Sequence, residues 1–377
     1  MRLLTVNTGS SSVRLAVFDV QDGSPTQRAR QHFANTQSDP VGILRRFLTE
    51  HSIKQIALVA HRVVHGGSQL TEACRLDADV ENEILRLAPL APLHNPLALH
   101  WIEACRTVFG DAIEQVVVFD TAFYSSLPDV AKTYALPLTL CAQHSIRRYG
   151  FHGLAHEAMW RRWKAVRPDL PAGGRIISLQ LGSGCSITAT CNGQAIDTSM
   201  GFSPLEGLVM ASRCGDIDAG LVLFLQRSTG RTLDQVEMLL QNESGLRGLA
   251  GESDMRVLLA SAKPEAQLAV DIYCYRARKY IGAYLAALGG ADAILFGGGV
   301  GENAPLVRSK IMTGLVWAGI ALNTAANCAA VGSETRISNR LSETEIWIIP
   351  VDEAQILAQH ALAVLSTPET IPAQEIT

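Results

Sequence analysis

Two short segments rich in glycine and serine have the composition of phosphate-binding turns. Asn7-Thr8-Gly9-Ser10-Ser11-Ser12 and Leu181-Gly182-Ser183-Gly184-Cys185-Ser186 each follow an apolar run and precede residues that alternate between apolar and polar. This pattern predicts a strand, a tight turn and a second strand in both places. Turns without bulky side chains let backbone N–H groups and hydroxyls surround an oxyanion. We expect the two turns to hold one polyphosphate from both sides, although either turn taken singly is typical of an ordinary hairpin.

Four basic side chains stand in glycine-bearing or turn-like segments where they could serve phosphoryl transfer. Arg62 and Arg213 lie among small residues, and a guanidinium can bind a carboxylate or a phosphate through two hydrogen bonds. His94 and His152 lie beside proline or glycine, where a ring N–H can donate to an oxyanion. A lone arginine is commonly a surface residue and a lone histidine a structural one. The phosphate-binding context favours the catalytic interpretation.

Three residues with side-chain oxygens fall where a predicted strand ends or a helix begins: Asn7, Asp120 and Glu353. Mg²⁺ takes few protein oxygens and keeps waters and phosphate oxygens as its other ligands. One or two of these residues would therefore suffice for a metal site. An acidic helix cap is the alternative interpretation of Glu353.

Short apolar strands that stop at polar or glycine residues occur in both halves of the chain. Residues 116–119 run into Asp120, and residues 293–296 run into 297–303. Buried parallel strands end in this way at the sheet edge where ligands collect. The alternation predicts an α/β protein of two related lobes that divide near 149–151, with a cleft between them. Helices are expected at 40–50, 79–88, 96–108, 217–228, 232–241, 264–288, 303–317 and 352–365, and strands at 55–60, 115–119, 174–180, 291–296 and 345–349.

The composition is that of a soluble enzyme. Of 377 residues, 47% are hydrophobic and 18% are charged, and the net charge of −4 leaves no basic excess for nucleic acid. The first residues are too short an apolar stretch for a signal peptide and no long apolar run follows, so we expect a cytoplasmic protein without membrane partners. The eight scattered cysteines predict reduced, mostly buried thiols. The tail after Ser366 is expected to be frayed.

The motifs closely resemble the acetate kinase family from residue 3 to about residue 360. They are NTGSSS, HRVVHGG, LHNPLAL, VFDTAF, RRYGFHG, TSMGFSPLEGL, RCGDID and GGGVGEN. The resemblance implies the acetate and sugar kinase, heat-shock 70 and actin fold: two duplicated ribonuclease H-like lobes, 1–149 and 150–351, with an interlobe nucleotide cleft. A helix over 352–377 would pack back on the first lobe. The family is usually homodimeric and transfers the ATP γ-phosphoryl group reversibly to a short carboxylate, giving an acyl phosphate and ADP with Mg²⁺ or Mn²⁺.

The resemblance also implies site residues, motif by motif. Arg62 resembles the acceptor-binding arginine, Asp120 the catalytic aspartate, and His152 and Arg213 the transition-state stabilisers. The metal-associated pair is Asn7 and Glu353. The small acyl pocket corresponds to Val64, Leu93, His94, Phe151 and Pro204. The residues implied to bind the nucleotide and its phosphates are Asn7, Ser10, Ser12, Arg14, Gln180, Leu181, Gly182, Ser183, Gly184, Asp254, Met255, Arg256, Gly299, Val300, Gly301, Glu302 and Asn303.

Departures from the family pattern gather on the phosphate-donor side. The second turn usually reads His-Leu-Gly-Asn-Gly, whereas this chain has Gln180 and Ser183. Arg14 replaces a usual lysine, Gly297-Gly298 replace common threonine and alanine, and Ala219 replaces a usual proline. We therefore expect altered phosphate contacts and leave the donor preference open.

The acceptor is expected to be acetate, because propionate-preferring relatives tend to have a residue smaller than Val64. One methylene is worth only about 1–3 kcal/mol of discrimination. Propionate or a broader range of short-chain carboxylates remains the alternative. A nucleotide-dependent switch protein without kinase activity is a more distant one, since one fold serves many functions.

Overall fold

The computed structural model describes residues 1–9, 12–34 and 39–366. It contains two compact units, one formed by Met1–Ala122 with the chain from Asp352 onward, the other by Phe123–Val351. The predicted frayed tail after Ser366 lies outside the described residues. No helix in the described part of the chain is long and apolar enough to cross a membrane.

The first unit is a six-stranded mixed sheet covered by helices. Its strands are β1 (Arg2–Thr8), β2 (Ser12–Gln21), β3 (Ser24–Ala34), β4 (Leu58–Val63), β5 (Cys74–Arg75) and β6 (Glu114–Phe119), in the order β3-β2-β1-β4-β6-β5. Its helices are α1 (Pro40–Glu50), α2 (Ala78–Arg86), α3 (Asn95–Phe109) and the last helix of the chain, α15 (Glu353–Ser366). Strands β1, β4 and β6 are parallel to one another. Their carboxyl ends therefore meet at one edge of the sheet.

Helices cover this sheet, whose central strands β1 and β4 are largely buried. Leu4 and Val6 of β1 are fully buried with Phe47 of α1 and Trp101 of α3. Helix α15 packs on β1, β4 and β6. It begins after Asp352, whose Oδ1 accepts a hydrogen bond from the backbone N–H of Gln355 at 3.3 Å, as a helix N-cap does.

The second unit has the same plan. Its strands are β7 (Arg175–Leu181), β8 (Cys185–Cys191), β9 (Gln194–Thr198), β10 (Ala293–Gly297), β11 (Thr335–Arg336) and β12 (Glu345–Ile348), in the order β11-β12-β10-β7-β8-β9. Its helices are α4 (Asp129–Lys132), α5 (Leu138–His144), α6 (Gly153–Val166), α7 (Ala219–Thr229), α8 (Leu233–Asn242), α9 (Gly245–Ala250), α10 (Met255–Ala260), α11 (Pro264–Leu288), α12 (Gly298–Asn303), α13 (Pro305–Met312) and α14 (Thr324–Ala329).

The two sheets repeat one strand order. Read from the other side, the second sheet is β9-β8-β7-β10-β12-β11, which places β7 where the first sheet has β1 and β10 where it has β4. Both predicted glycine turns connect antiparallel neighbours, β1 to β2 and β7 to β8. The predicted α/β class and the duplicated order are confirmed.

The structure differs from the sequence expectations at two boundaries. The units divide between Ala122 and Phe123 rather than near 149–151. The intervening segment is held by the second unit, since the Tyr124 hydroxyl donates to the Phe151 carbonyl at 2.8 Å. The single helix expected over 303–317 is wrong. Within those bounds α12 ends at Asn303, α13 spans only Pro305–Met312, and a short 3₁₀ turn follows at Val316–Ala318. Pro305 lacks a backbone N–H and therefore begins a new helix.

Candidate active site

Four predicted residues of the first unit form a connected polar set at the carboxyl edge of its sheet, the Arg62 cluster. Asn7 lies near the end of β1, Arg62 near the end of β4, Asp120 directly after β6, and Glu353 at the start of α15. The parallel arrangement of the strands brings these positions together although they are far apart in sequence. Asn7, Asp120 and Glu353 are all buried.

Hydrogen bonds join the members of the Arg62 cluster. Arg62 donates to Asp120 from Nε to Oδ1 at 3.0 Å and from Nη2 to Oδ2 at 2.5 Å. Its Nη1 donates to Asn7 Oδ1 and to the Thr8 carbonyl, both at 3.2 Å. Asn7 Nδ2 donates in turn to Glu353 Oε2 at 2.7 Å. The cluster is thus a rigid array, and most of the Arg62 donors are already engaged.

The Arg62 cluster contains oxygen atoms of the kind that could hold a cation. Burial alone lowers the pKa of Arg62, but Asp120 and Glu353 outweigh it and raise that pKa above its ordinary value. Two carboxyl side chains thus stand against one buried guanidinium, with Arg14 Nη1 a further 3.8 Å from Glu353 Oε2. Carboxylate and amide oxygens are the ligands that Mg²⁺ prefers. Among the described residues no group of three or more His, Cys, Asp or Glu could cage a metal, so a metal here would need non-protein ligands as well.

Three predicted elements of the second unit converge around Gly184, and we call them the His152 cluster: His152, Arg213 and the turn Gly182–Gly184. The backbone N–H of Ala211 donates to the Ser183 carbonyl at 3.0 Å and so ties the turn to the segment that carries Arg213. A methyl group on Gly184 would lie 3.3 Å from His152 Nε2 and 3.7 Å from Arg213 Nη1. The absence of a side chain at 184 therefore leaves space directly beside a ring nitrogen and a guanidinium.

Arg213 differs from Arg62 because no carboxylate of the described residues pairs with it. Its Nη1 donates to the Pro204 carbonyl at 2.9 Å and contacts Met210 Sδ at 3.6 Å. Burial lowers its pKa. Its remaining N–H groups have no partner in the described part of the chain. A half-buried cation with unused donors is suited to bind an anion.

His152 occupies an uncommon backbone conformation at the start of α6. Its φ is 59°, in the left-handed region that few residues other than glycine adopt, and it precedes the first helical residue, Gly153. Its Nδ1 lies 2.9 Å from Ser186 Oγ. Such conformations persist where the surrounding structure holds them, and they concentrate at functional sites.

The predicted nucleotide stretch Gly299–Asn303 lies in α12, against the β7–β8 turn. Gly298 has a φ of 77°, and a methyl group on it would lie 2.7 Å from the Leu181 carbonyl oxygen. Glu302 Oε1 accepts from the Gly298 N–H at 2.9 Å and from the Val351 N–H at 3.1 Å. Asn303 Nδ2 donates to the Gly299 carbonyl at 2.9 Å. The side chains of Glu302 and Asn303 thus shape this segment from within.

Other predicted donor-side residues are less closely associated. Asp254 caps α10 and pairs with Arg256, whose Nε lies 3.0 Å from Asp254 Oδ1, so the polar contacts of both are local in the described chain. Gln180 Oε1 is buried without a hydrogen-bond partner among the described residues. Ser12 begins β2, where its carbonyl accepts from the Gly9 N–H at 2.7 Å. Ser10 lies outside the described residues.

The predicted acyl-pocket residues are distributed over both units. Val64 is buried and Leu93 exposed in the first unit, where His94 directly precedes α3. Phe151 is buried in the second unit, and Pro204 there receives the hydrogen bond from Arg213.

Comparison with known proteins decides the family. The sequence model of the Acetokinase family matches residues 27–359. The chain belongs to this family. It is similar to the acetate kinase of Chloroherpeton thalassium, with 46% identity over 314 residues that cover 82% of this chain and 75% of the relative.

Solved structures give the same result. The acetate kinase of Porphyromonas gingivalis is 32% identical with a TM-score of 0.88, covering 97% of this chain and 99% of that one. The propionate kinase of Francisella tularensis subsp. tularensis SCHU S4 is 32% identical with a TM-score of 0.87, covering 96% and 99%. The resemblance noted in the motifs is thus confirmed at the level of family and fold.

The sequence pattern of this acetokinase-family chain does not single out Arg308 as a functional residue. Arg308 of α13 is fully buried and donates to the carbonyls of Gly301 at 2.8 Å and Glu302 at 3.1 Å, and to Asn327 Oδ1 at 2.8 Å. It therefore fastens the carboxyl end of α12. The only signal in the sequence is a charged residue within an otherwise apolar helix face, which is common on surfaces.

Proposed function

We propose that this protein is a carboxylate kinase that transfers the γ-phosphoryl group of ATP reversibly to acetate, giving acetyl phosphate and ADP. Family membership supports the reaction type, and one observation supports the site. Arg213 is a half-buried cation without a carboxylate partner in the described chain, and it lies with His152 beside the side-chain-free Gly184. Such a place suits the phosphoryl group in transfer.

The chemistry asks for positioning and charge neutralisation. The acceptor is a carboxylate, so its oxygen attacks phosphorus as an anion and needs no general base. Arg213 and a ring N–H of His152 donate to the equatorial oxygens, where negative charge gathers in the transition state. Exclusion of water by closure around the substrates prevents competing hydrolysis of ATP.

The Arg62 cluster serves the acceptor in this proposal. Arg62 is held in one orientation by Asp120, and an Nη2 hydrogen and the guanidinium charge remain for the carboxylate of the substrate. Asp120 acts as a positioning group, because its two oxygens are occupied by Arg62 rather than directed at a proton to be abstracted.

Mg²⁺ or Mn²⁺ is the proposed metal. Asn7 and Glu353 would hold it through side-chain oxygens that hydrogen bonds already position: Glu353 Oε2 accepts from Asn7 Nδ2 at 2.7 Å, and Asn7 Oδ1 accepts from Arg62 Nη1 at 3.2 Å. When bound, it neutralises charge on the β- and γ-phosphates and orients them. Asp120 contributes a further carboxylate to the same edge of the sheet.

Acetate is proposed as the preferred acceptor because Val64 is buried and takes up space near the end of β4. Propionate is the second candidate, supported by the structural likeness to the Francisella propionate kinase. The values of kcat/KM for acetate, propionate and butyrate decide between them. A preference for butyrate would contradict a small pocket.

We further propose a cytoplasmic homodimer. All eight cysteines are free thiols, as expected in a reducing compartment that supplies ATP. Helix α7 is apolar yet has no buried residue, and Leu223 and Phe224 are exposed together with Leu233 of α8. A second copy that covers this surface would remove it from water. Light scattering of wild type and Phe224→Glu tests this, since the variant is expected to be monomeric.

Trapping with hydroxylamine tests the reaction itself. Protein, Mg²⁺, ATP and acetate are expected to give acetyl hydroxamate, which requires all four. Arg213→Ala and His152→Ala are each expected to lower kcat by two decades or more, since one transition-state donor is worth about 2.7–4 kcal/mol. Near-normal turnover of either variant refutes its assignment. Tight ATP binding without hydroxamate would support a switch protein, and parallel assays with GTP and pyrophosphate define the donor.

A further inference from the structure

A continuous hydrogen-bonded chain runs from His152 into the core of the second unit. His152 Nδ1 lies 2.9 Å from Ser186 Oγ on β8. Ser186 Oγ lies 2.8 Å from Nε2 of His156, one helical turn further along α6, and His156 Nδ1 lies 2.7 Å from Ser178 Oγ on β7. Beyond His152, all three members are fully buried.

The hydrogen bonds along this chain can donate in either of two directions, and one direction is favoured. If the Ser178 hydroxyl donates to His156 Nδ1, then His156 donates from Nε2 to Ser186, and Ser186 donates to His152 Nδ1. Every hydroxyl proton then has an acceptor. In the opposite direction, the Ser178 proton would have no acceptor among the residues that the structure describes. An unsatisfied hydroxyl in a fully buried position is costly, so the first direction is favoured.

This direction decides which nitrogen of His152 carries hydrogen. Nδ1 accepts from Ser186, so the proton of the neutral ring is on Nε2. Nε2 is the nitrogen that would lie 3.3 Å from a methyl group on Gly184, on the side of Arg213. A donor N–H is therefore directed to the place where the phosphoryl group is proposed to bind.

We propose that Ser186, His156 and Ser178 are positioning residues that hold His152 as the Nε2–H tautomer, ready to donate to the transferred phosphoryl group. This inference rests on the proposed function for its kinetic consequence, but the tautomer itself does not depend on activity. A second proton on His152 Nδ1 would reverse the chain and deprive Ser178 of its acceptor.

The state of His156 agrees with this arrangement. Burial lowers the pKa of His156 well below its ordinary value, and the neighbouring His152 lowers it further. His156 therefore stays neutral, with one N–H and one acceptor nitrogen. A neutral ring is what a one-directional chain requires, since an imidazolium would donate from both nitrogens.

Nitrogen NMR of protein labelled with ¹⁵N-histidine tests the tautomer without substrates. With the His152 signals assigned by comparison with His152→Gln, we expect protonated Nε2 and unprotonated Nδ1 at neutral pH. Protonated Nδ1 would overturn the proposal. Ser178→Ala removes the hydroxyl that sets the direction, so the ring-nitrogen shifts of His152 are expected to move toward a tautomer mixture. Unchanged shifts in this variant would also overturn it.

Kinetics test the consequence. Ser186→Ala is expected to lower kcat by about 10-fold with little change in KM, as loss of a hydrogen-bond partner behind an active-site histidine does. Ser178→Ala should lower kcat less, and the double variant should match Ser186→Ala because the chain is already broken. If the fold-losses in kcat of the two single variants multiply in the double variant, the two substitutions cause separate structural defects. That result would contradict a continuous hydrogen-bonded chain.

Thr190→Val on the same strand β8 is the matched control. The Thr190 hydroxyl is buried without a partner in the described chain, so its loss should leave kcat and the His152 signals unchanged. If Ser186→Ala fails to fold, as judged by its melting transition, both the NMR measurement and the kinetic measurement are made on Ser178→Ala. A wild-type protein that forms no acetyl hydroxamate would refute the proposed function, whereas the NMR result would still decide the tautomer.

Discussion

Arg62 and Asp120 form a two-point ion pair, with Nε 3.0 Å from Oδ1 and Nη2 2.5 Å from Oδ2. The two residues are separated by 58 positions in the sequence, and neighbouring parallel strands bring them together. The Asp120 side chain is 1% exposed and that of Arg62 is 11% exposed. Because neither charge is well solvated, each side chain depends on the other to offset the free-energy cost of burying its charge.

Asp120→Asn is expected to impair both stability and catalysis. The substitution keeps the shape but leaves the Arg62 charge without its closest counter-ion, and removal of one partner from a buried pair costs about 3–5 kcal/mol. Urea unfolding measures the free energy of unfolding, and hydroxamate assays measure kcat, which should fall because Arg62 is no longer fixed. A variant as stable as wild type would show that the pair is not an electrostatic unit.

The control for Asp120→Asn is Asp129→Asn. Asp129 forms an ion pair with Lys132 on α4, but its side chain is 86% exposed. Pairs in water contribute little. The unfolding midpoint of this variant should match that of wild type.

Gly184→Ala is expected to lower kcat strongly while the protein remains folded. The added methyl group would lie 3.3 Å from His152 Nε2 and 3.7 Å from Arg213 Nη1, so it would occupy the space assigned to the phosphoryl group. Gly184 does not require a positive φ, and the backbone can therefore accept alanine. Steady-state kinetics and a melting curve separate the two effects.

Gly282→Ala in α11 is the matched control for that substitution. A methyl group there meets no atom within 4 Å. Alanine in a helix interior is favoured over glycine, so the free energy of unfolding should rise by about 0.4–1 kcal/mol and kcat should not change. Equal kcat values for Gly184→Ala and Gly282→Ala would place the phosphoryl group elsewhere.

Glu353→Gln is expected to raise the Mg²⁺ concentration required for half-maximal activity. The amide can still contact Asn7, but it brings no charge to a metal that prefers carboxylate oxygen. Titration of activity with Mg²⁺ at saturating ATP and acetate measures the shift. Gln355→Ala, in the same helix turn, is the control, because its side-chain amide contacts only the Pro25 carbonyl among the described residues. If wild type, Glu353→Gln and Gln355→Ala all require the same Mg²⁺ concentration, Glu353 does not bind the metal.

Local patterns were sufficient to predict the central hairpins and the parallel strands. Glycines and alternating residues around Gly9 and Gly182 specify strand, turn and strand without distant information. The short edge strands β5 and β11 carry no such signal, since each has two residues. Helix α6 was missed because its first seven residues are all buried, which removes the amphipathic period on which prediction depends.

Site residues could be predicted by type, but their partners could not. A sequence shows that Arg62 and Arg213 are arginines in glycine-bearing segments, and nothing local distinguishes them. Among the described residues, the fold gives Arg62 a carboxylate and gives Arg213 only the Pro204 carbonyl and the Met210 sulfur. That difference depends on strand pairing and burial across long stretches of chain, and it decides which arginine has donors left for an anion.

Stability is expected to fall as the pH drops from about 6.5 toward 4. Burial lowers the pKa of His61 and His65 to about 4, against an ordinary value of 6.5. Between these values the unfolded chain binds protons that the folded protein does not, so acid favours unfolding, by about 1 kcal/mol for each histidine at pH 5.5. Urea unfolding at pH 7.5, 6.5 and 5.5 measures the slope. His61→Gln should reduce the slope of the free energy of unfolding against pH by the equivalent of up to one bound proton. A slope equal to that of wild type would show that His61 does not titrate in this way.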